Sequence, residues 1–197
     1  IDEVEFMLFP RLPGVAEIGW TPSESRDWND YKNRLVNQSK RWEVMDINFY
    51  GVLYATKYCL PEIIRNKGSV VGISSIAGYR GLPGRSGYSA SKFALNGFLE
   101  VLRTEFLKRD VHVLTACPGF TASAIRKNAL TKDGSKQSES PRVEEEMMSA
   151  EECAKHIYRA TVKRKRQLIL TTQGKLTVWL NKFFPSLADK LVYNAMA

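Results

Sequence analysis

A short apolar run that ends in hydroxyl groups constrains this chain more than any other feature. Residues 68–75 read GSVVGISS, and β-branched side chains in so short a run predict a buried β-strand. Glycines and prolines in residues 78–87 predict a loop, and apolar residues at helical spacing follow from Tyr88 onward. The chain is therefore expected to place Ser75 at a strand end, before a loop that leads into an amphipathic helix.

Tyr88 and Lys92 lie four residues apart, so both side chains are expected on one face of that helix. A phenol is ordinarily too weak an acid to exchange protons at neutral pH, and a cation one turn away favours its ionised form. With the Ser75 hydroxyl at the adjacent strand end, the three groups suit proton transfer to or from a carbonyl or alcohol oxygen. The Tyr–Lys spacing alone also fits a surface tyrosine with a lysine extended beside it.

The composition excludes several other kinds of protein. Three widely separated cysteines, no Cys-x-x-Cys and two histidines indicate neither a disulfide framework nor a zinc site. No apolar run approaches the roughly 18 residues of a membrane span, and the acidic start is not a signal peptide. We therefore expect a globular core in a reducing, cytoplasmic compartment. The net charge of +8 suits nucleic acid, an anionic membrane or a phosphorylated cofactor, but also a solvated basic surface, which we favour.

The full pattern is more specific than its parts. An apolar strand leads into Ser-Ser-x-Ala-Gly at residues 74–78, then a glycine-rich loop, then Tyr-Ser-Ala-Ser-Lys at residues 88–92. In this order the chain resembles the short-chain dehydrogenase/reductase family. The resemblance implies an α/β fold with a Rossmann-like, doubly wound parallel sheet, and an NAD or NADP cofactor. It also implies that Tyr88 is the general acid/base, that Ser75 orients the substrate oxygen and that Lys92 binds the nicotinamide ribose.

A second stretch, DINFYG at residues 46–51, resembles the family's central-helix motif. Relatives use its asparagine to hold a water that relays protons to the lysine, which makes Asn48 a candidate catalytic residue. Asparagine and glycine are poor helix residues, so a local bend or a close backbone approach is the alternative. Apolar residues continue at helical spacing to Tyr58, and Pro61 is expected to mark the end of the helix.

A third stretch is the apolar run at residues 111–117, which is followed by a Pro-Gly pair. It resembles the family's next strand and turn, after which residues face the nicotinamide amide. Together with Tyr88 and Lys92, the candidate cofactor contacts are Pro118, Gly119, Thr121 and Ser123. The family often has valine at the first of the two positions after the turn and threonine at the second, so the match is partial. An ordinary strand-end turn is the alternative.

The resemblance covers residues 42–197, the expected catalytic portion, and leaves residues 1–41 as an atypical N-terminal segment. The family's glycine-rich turn, Gly-x-x-x-Gly-x-Gly, would meet the cofactor pyrophosphate at a helix N-terminus, and the sequence does not contain it. Three strands are recognisable, at residues 69–75, 111–117 and 167–172, of a sheet that has about seven in relatives.

The strand at residues 69–75 would then lack a neighbour, and an unpaired hydrophobic edge is an aggregation hazard. One hypothesis is that Val4 to Phe9, or another chain, fills part of the gap. The other, which we favour, is that the sequence is a truncated or spliced product of an ordinary family member. The sheet can therefore be incomplete on its N-terminal side.

We expect an NAD(P)-dependent oxidoreductase that acts on a carbonyl or secondary alcohol. The alternative is a non-catalytic binding or scaffolding module that kept the site residues and lost the cofactor. We also expect a homodimer or homotetramer, and no nucleic-acid partner because nothing beyond charge matches such a motif. The aromatic-rich stretch at residues 176–193 suits a membrane surface, a partner subunit or an intramolecular lid, and membrane association is not required.

Overall fold

The structure is a computed structural model that describes residues 21–122 and 147–196, without the side chains of residues 35–42 and 196. The chain divides into two compact units, Ile1–Trp42 and Glu43–Ala197.

The described part of the first unit is helical. A single 3₁₀ turn at Ser23–Ser25 precedes helix α1, which spans Trp28–Met45 and continues past the unit boundary. Asp27 caps this helix, because its Oδ1 accepts a hydrogen bond from the Asp30 backbone N–H at 2.7 Å.

The second unit is built on three parallel strands in the order β1-β2-β3. They are β1 at Ser69–Ile73, β2 at His112–Cys117 and β3 at Gln167–Ile169. In register, Ser69 lies opposite His112 and Thr115 lies opposite Gln167. Parallel neighbours need long crossover connections, which here contain helices. The predicted α/β fold with a parallel sheet is confirmed.

The connections supply the remaining elements. A π-helical turn leads from α1 into the helix that precedes β1, and short 3₁₀ turns follow β1 and precede β2. The elements are the π-turn Asp46–Tyr50, α2 at Gly51–Arg65, the 3₁₀ turns Ile76–Gly78 and Leu107–Arg109, α3 at Ser86–Glu105, α4 at Ala150–Val162, α5 at Thr172–Phe183 and α6 at Pro185–Met196.

Helices cover both faces of the sheet, as the doubly wound arrangement requires. Neighbouring residues of β2 point to opposite faces. Val113 packs into a buried cluster with Leu99 of α3, whereas Leu114 packs with Ala160 of α4. Since strand side chains alternate, the apolar run of β2 is buried on both sides.

Helix α2 runs through Pro61 to Arg65, so the expectation that Pro61 marks its end is wrong. A proline inside a helix lacks the N–H that would bond to the carbonyl four residues earlier, and this is costly. Leu60, Ile63 and Ile64 pack against the cluster formed by β1, β2 and α3, and their burial offsets that cost.

Within the described residues, β1 pairs with β2 along one edge only. The predicted strand at Val4 to Phe9, proposed to lie beside β1, falls outside the described residues. No helix in the described ranges has the length and apolar character that crossing a bilayer requires.

The contact between Gly72 of β1 and the Leu99 side chain of α3 gives a stability prediction. A Cβ on Gly72 would lie 2.3 Å from Leu99 Cδ1, so Gly72→Ala should overpack this contact and lower the free energy of unfolding by about 1–3 kcal/mol. Urea denaturation measures the change.

Gly97→Ala is the matched control. Gly97 is exposed within α3, and an added Cβ would meet no atom within 4 Å. This replacement should stabilise the protein by roughly 0.5–1 kcal/mol, because alanine loses less entropy in a helix. Equal effects of the two substitutions would contradict the close β1–α3 contact.

Candidate active site

Ser75, Gly119 and Thr121 lie just after the carboxyl ends of parallel strands. After β1 the chain enters the turn at Ile76–Gly78, and after β2 it passes through Pro118 and Gly119. After β3 it reaches Thr171, whose Oγ1 accepts a hydrogen bond from the Gly174 N–H at 3.0 Å and caps α5. Open parallel sheets bind ligands outside this carboxyl edge.

Ser75 is held in place by the turn that it begins. Its Oγ accepts a hydrogen bond from the Ala77 backbone N–H at 3.2 Å and so caps the turn. The residue is half-buried. Because a hydroxyl both accepts and donates, this bond leaves the Ser75 proton available to a substrate oxygen.

Lys92 connects the helix of Tyr88 to β1, the strand that leads to Ser75. Its Nζ lies 5.7 Å from the centroid of the Tyr88 ring and donates a hydrogen bond to the Ile73 carbonyl oxygen at 3.0 Å. Lys92 is buried, and burial lowers the pKa of its ammonium group, an effect that the nearby Cys117 opposes. The structure therefore brings Lys92 beside Tyr88 and within two residues of Ser75.

Asn48 lies in the π-turn Asp46–Tyr50 between α1 and α2. Such turns are rare and occur frequently at functional sites. The turn packs against α3, where the Phe49 ring meets the Phe98 ring edge-on with centroids 6.3 Å apart. Asn48 is half-buried in this irregular turn. The turn fits the alternative reading of the stretch, a local irregularity at poor helix residues, while the water-holding role of Asn48 stays a prediction.

The residues after β2 approach β3 and the start of α4. Gly119 has φ +83°, and a Cβ there would lie 2.6 Å from Thr171 Cγ2, so the position requires glycine. Thr121 forms an isolated bridge with Met148, and the next residue, Ala122, donates its N–H to the Met148 carbonyl at 3.0 Å.

Thr121 also carries an unpaired polar atom. Its Oγ1 is buried and has no hydrogen-bond partner in the part of the chain that the structure describes. Buried hydroxyls nearly always have one, so this atom fits a ligand group such as the nicotinamide amide. Ser123, the other residue expected to face that amide, lies outside the described residues.

Two residues that support the site were not singled out in the sequence. Ser74 Oγ donates to Asn96 Oδ1 at 2.6 Å, and Asn96 Nδ2 donates to the Gly78 carbonyl at 2.8 Å. Both bonds are buried, so Asn96 joins the end of β1 and the following turn to α3. The available signal was the spacing of Tyr88, Lys92 and Asn96, which puts three polar side chains on one helix stripe.

Cys117, at the end of β2, faces the same polar cluster. Burial raises the pKa of this thiol to about 11, although a hydrogen bond with Ser74 and the charge of Lys92 act in the opposite direction. The thiol therefore stays protonated near neutral pH, and a thiolate nucleophile is not expected at this position.

Known proteins resemble this chain across these elements. The family model described as short chain dehydrogenase matches residues 29–134. Dehydrogenase/reductase SDR family member 7B of Rattus norvegicus is 35% identical over 156 residues, covering 79% of this chain and 47% of the relative. Dehydrogenase/reductase SDR family protein 7-like of Dictyostelium discoideum is 31% identical over 181 residues, covering 88% and 56%. The chain thus spans about half the length of the curated relatives that it matches.

Solved structures share the fold. A short-chain dehydrogenase from Burkholderia cenocepacia, in complex with NADP, superposes with a TM-score of 0.63 at 18% identity, over 75% of this chain and 56% of that one. One from Streptomyces avermitilis superposes with a TM-score of 0.54 at 22% identity, over 81% and 64%. These likenesses support the Rossmann-like parallel sheet.

The Ser74–Asn96 contact predicts non-additive stability effects. Ser74→Ala and Asn96→Ala should each lower the free energy of unfolding by about 1–3 kcal/mol, because each leaves a buried polar group unpaired. The double variant should lose less than the sum, with a coupling energy of about 0.5–3 kcal/mol. Urea denaturation of all four proteins measures it.

Thr161→Ala provides the control cycle with Asn96→Ala. The Thr161 hydroxyl donates to the Ile157 carbonyl at 2.9 Å within α4, which packs on the opposite face of the sheet. These two substitutions should add within about 0.5 kcal/mol. Additivity in the Ser74–Asn96 cycle as well would show that the two side chains do not interact.

Proposed function

The chain belongs to the short-chain dehydrogenase family, and from this membership we propose that it carries the catalytic half of an NAD(P)-dependent oxidoreductase. The reaction interconverts a carbonyl and a secondary alcohol. The observation that carries the proposal is the position of Lys92, buried beside Tyr88 and bonded to the strand end that leads to Ser75.

In the proposed mechanism Tyr88 transfers the proton. When a carbonyl is reduced, the Tyr88 hydroxyl gives its proton to the substrate oxygen, and in the reverse direction the phenolate takes it back. The Lys92 ammonium, 5.7 Å from the ring centroid, stabilises the negative charge that the phenol acquires. Ser75 donates a hydrogen bond to the same substrate oxygen and orients it.

When bound, the nicotinamide supplies or accepts the hydride at the substrate carbon. Lys92 would hold its ribose, and Thr121 would bind its amide through the buried, unpaired hydroxyl. Gly119, two residues before Thr121, lets the backbone after β2 pass close to the Thr171 side chain. Asn48, in the irregular turn before α2, would hold a water that passes protons to Lys92.

The names of the relatives support this proposal. The proteins that match most of the chain are called dehydrogenase/reductase family members, and the Burkholderia cenocepacia structure was determined in complex with NADP.

A second candidate function follows from a specific sequence observation. The glycine-rich turn that would meet the pyrophosphate does not occur in the sequence. A chain with the proton-transfer groups but without that turn would be a non-catalytic binding or scaffolding module derived from the same family.

Nucleotide titration separates the two candidates. An oxidoreductase should bind NADH or NADPH, raise the nicotinamide fluorescence and increase the Tm as the nucleotide concentration rises, because binding to the folded state stabilises it. Fluorescence titration and thermal unfolding of the whole chain measure both effects. A folded protein that responds to neither nucleotide would favour the module.

The acid/base role predicts a selective loss of turnover. Tyr88→Phe removes the hydroxyl and keeps the ring, so it should lower kcat by roughly 10²–10⁴-fold while leaving nucleotide affinity near that of the wild type. Nicotinamide absorbance with aldehydes, ketones and secondary alcohols gives the rate.

Tyr158→Phe is the matched control, since Tyr158 is exposed on α4 and should leave turnover unchanged. A Tyr88→Phe protein that turned over at the wild-type rate would disprove the assigned role.

A further inference from the structure

Helices α5 and α6 expose an apolar surface on the outside of the protein. Its large side chains are between 48% and 70% exposed. We call it the C-terminal apolar surface, and it consists of Leu176, Trp179, Phe183, Phe184, Leu187, Leu191 and Tyr193. Large exposed apolar patches mark sites of interaction with a partner or a membrane.

This surface is separate from the face that holds α5 on the protein. Gly174 is buried, and Asn181 donates from Nδ2 to the Tyr79 carbonyl at 2.9 Å. Trp179 and Phe183 lie on the other side of the same helix, at more than half exposure. On α6, Ala188 is only 2% exposed, whereas its neighbour Leu187 is open to solvent. The outward apolar side chains therefore lie away from the buried face of each helix.

Three aromatic rings form the centre of the surface. The Trp179 ring lies 5.6 Å from the Phe183 ring and 5.7 Å from the Phe184 ring, measured between centroids. Tryptophan combines a large apolar body with one polar N–H group, which suits it to the boundary between lipid and water. Exposed aromatic side chains on one face are typical of helices that lie in a membrane interface.

Exposed cations border the surface. Lys175 and Lys182 are seven residues apart, so they share one flank of α5, and Lys190 is exposed on α6. None of the three forms an ion pair with a side chain in the described ranges. Asp189 is the acidic residue of these two helices, and it pairs with Arg80 and not with a lysine. Its Oδ1 lies 2.5 Å from an Arg80 guanidinium nitrogen. The border therefore presents unpaired positive charge.

This charge distinguishes between the possible occupants. A second copy of the chain would bring the same surface against itself across a two-fold axis. Because the unpaired charges at its border are the lysines Lys175, Lys182 and Lys190, such an interface would bring like charges together, on chains whose net charge is +8. An anionic lipid surface complements the lysines and accepts the aromatic side chains. We propose that the C-terminal apolar surface docks the protein onto anionic membranes.

Vesicle sedimentation tests the proposal with the whole chain. The protein should bind vesicles of phosphatidylcholine mixed with phosphatidylserine, and bind vesicles of phosphatidylcholine alone more weakly. The Trp179→Ser, Phe183→Ser double variant should lose roughly tenfold or more of this binding, because it removes the apolar centre. Tyr158→Ser with Val162→Ser removes exposed apolar side chains from α4 instead and should bind like the wild type.

The lysines give an independent test. Replacing Lys175, Lys182 and Lys190 with glutamine should weaken binding to the anionic vesicles by roughly fivefold per lysine. The control replaces Lys57, Lys67 and Lys108, which are exposed elsewhere, and so changes the net charge equally. If both triple variants lost vesicle binding equally, overall charge and not the position of the lysines would explain the binding. The proposed docking surface would then be wrong.

Measurements of the oligomeric state test whether a second copy of the chain covers the surface instead. Light scattering after size exclusion, without lipid, should give the same mass for the wild type and the Trp179→Ser, Phe183→Ser variant. The contradicting result is a dimeric wild type, a monomeric variant and no vesicle binding by either protein. The surface would then be a subunit interface, and the proposal would be wrong. Circular dichroism of each variant verifies that it is folded.

Discussion

The hydrogen bond from Lys92 Nζ to the Ile73 carbonyl oxygen is the contact on which the candidate site depends. It places a buried ammonium group at the end of β1, between the helix that carries Tyr88 and the turn that carries Ser75. Burying a cation is costly unless polar groups surround it. The carbonyl and the aromatic ring partly replace water, and burial still lowers the lysine pKa. The fold thus accepts an energetic cost to keep this charge beside the Tyr88 ring.

A second set of contacts makes that placement possible. Asn96 bonds to Ser74 on one side and to the Gly78 carbonyl on the other, so the turn after β1 cannot shift along α3 without breaking two buried bonds. Gly72 of β1 leaves room for the Leu99 side chain, which packs between α3 and the strand. Hydrogen bonds whose partners are buried act together, so we regard the end of β1, the turn and α3 as one rigid support.

The local features of this support were predictable from the sequence, and the long-range ones were not. The strand before Ser75 and the helix that carries Tyr88 and Lys92 follow from periodicity, which depends on near neighbours. The role of Asn96 depends on its hydrogen bond with Ser74, which lies 22 residues earlier. A pattern of neighbouring residues does not predict a contact over that separation. Pro61 was misread for the same reason, since the packing of α2 against distant strands overrides a local helix-breaking preference.

The C-terminal helices connect this support to the outer surface. Arg80 lies just after the turn at Ile76–Gly78, and its guanidinium donates to Asn181 of α5 at 3.1 Å and to Asp189 of α6. Asn181 and Asp189 therefore hold the loop between Ser75 and Tyr88 through Arg80, while other side chains of both helices are apolar and exposed. Because the two faces use different residues, one pair of helices can support the site and present a docking surface without either requirement restricting the other.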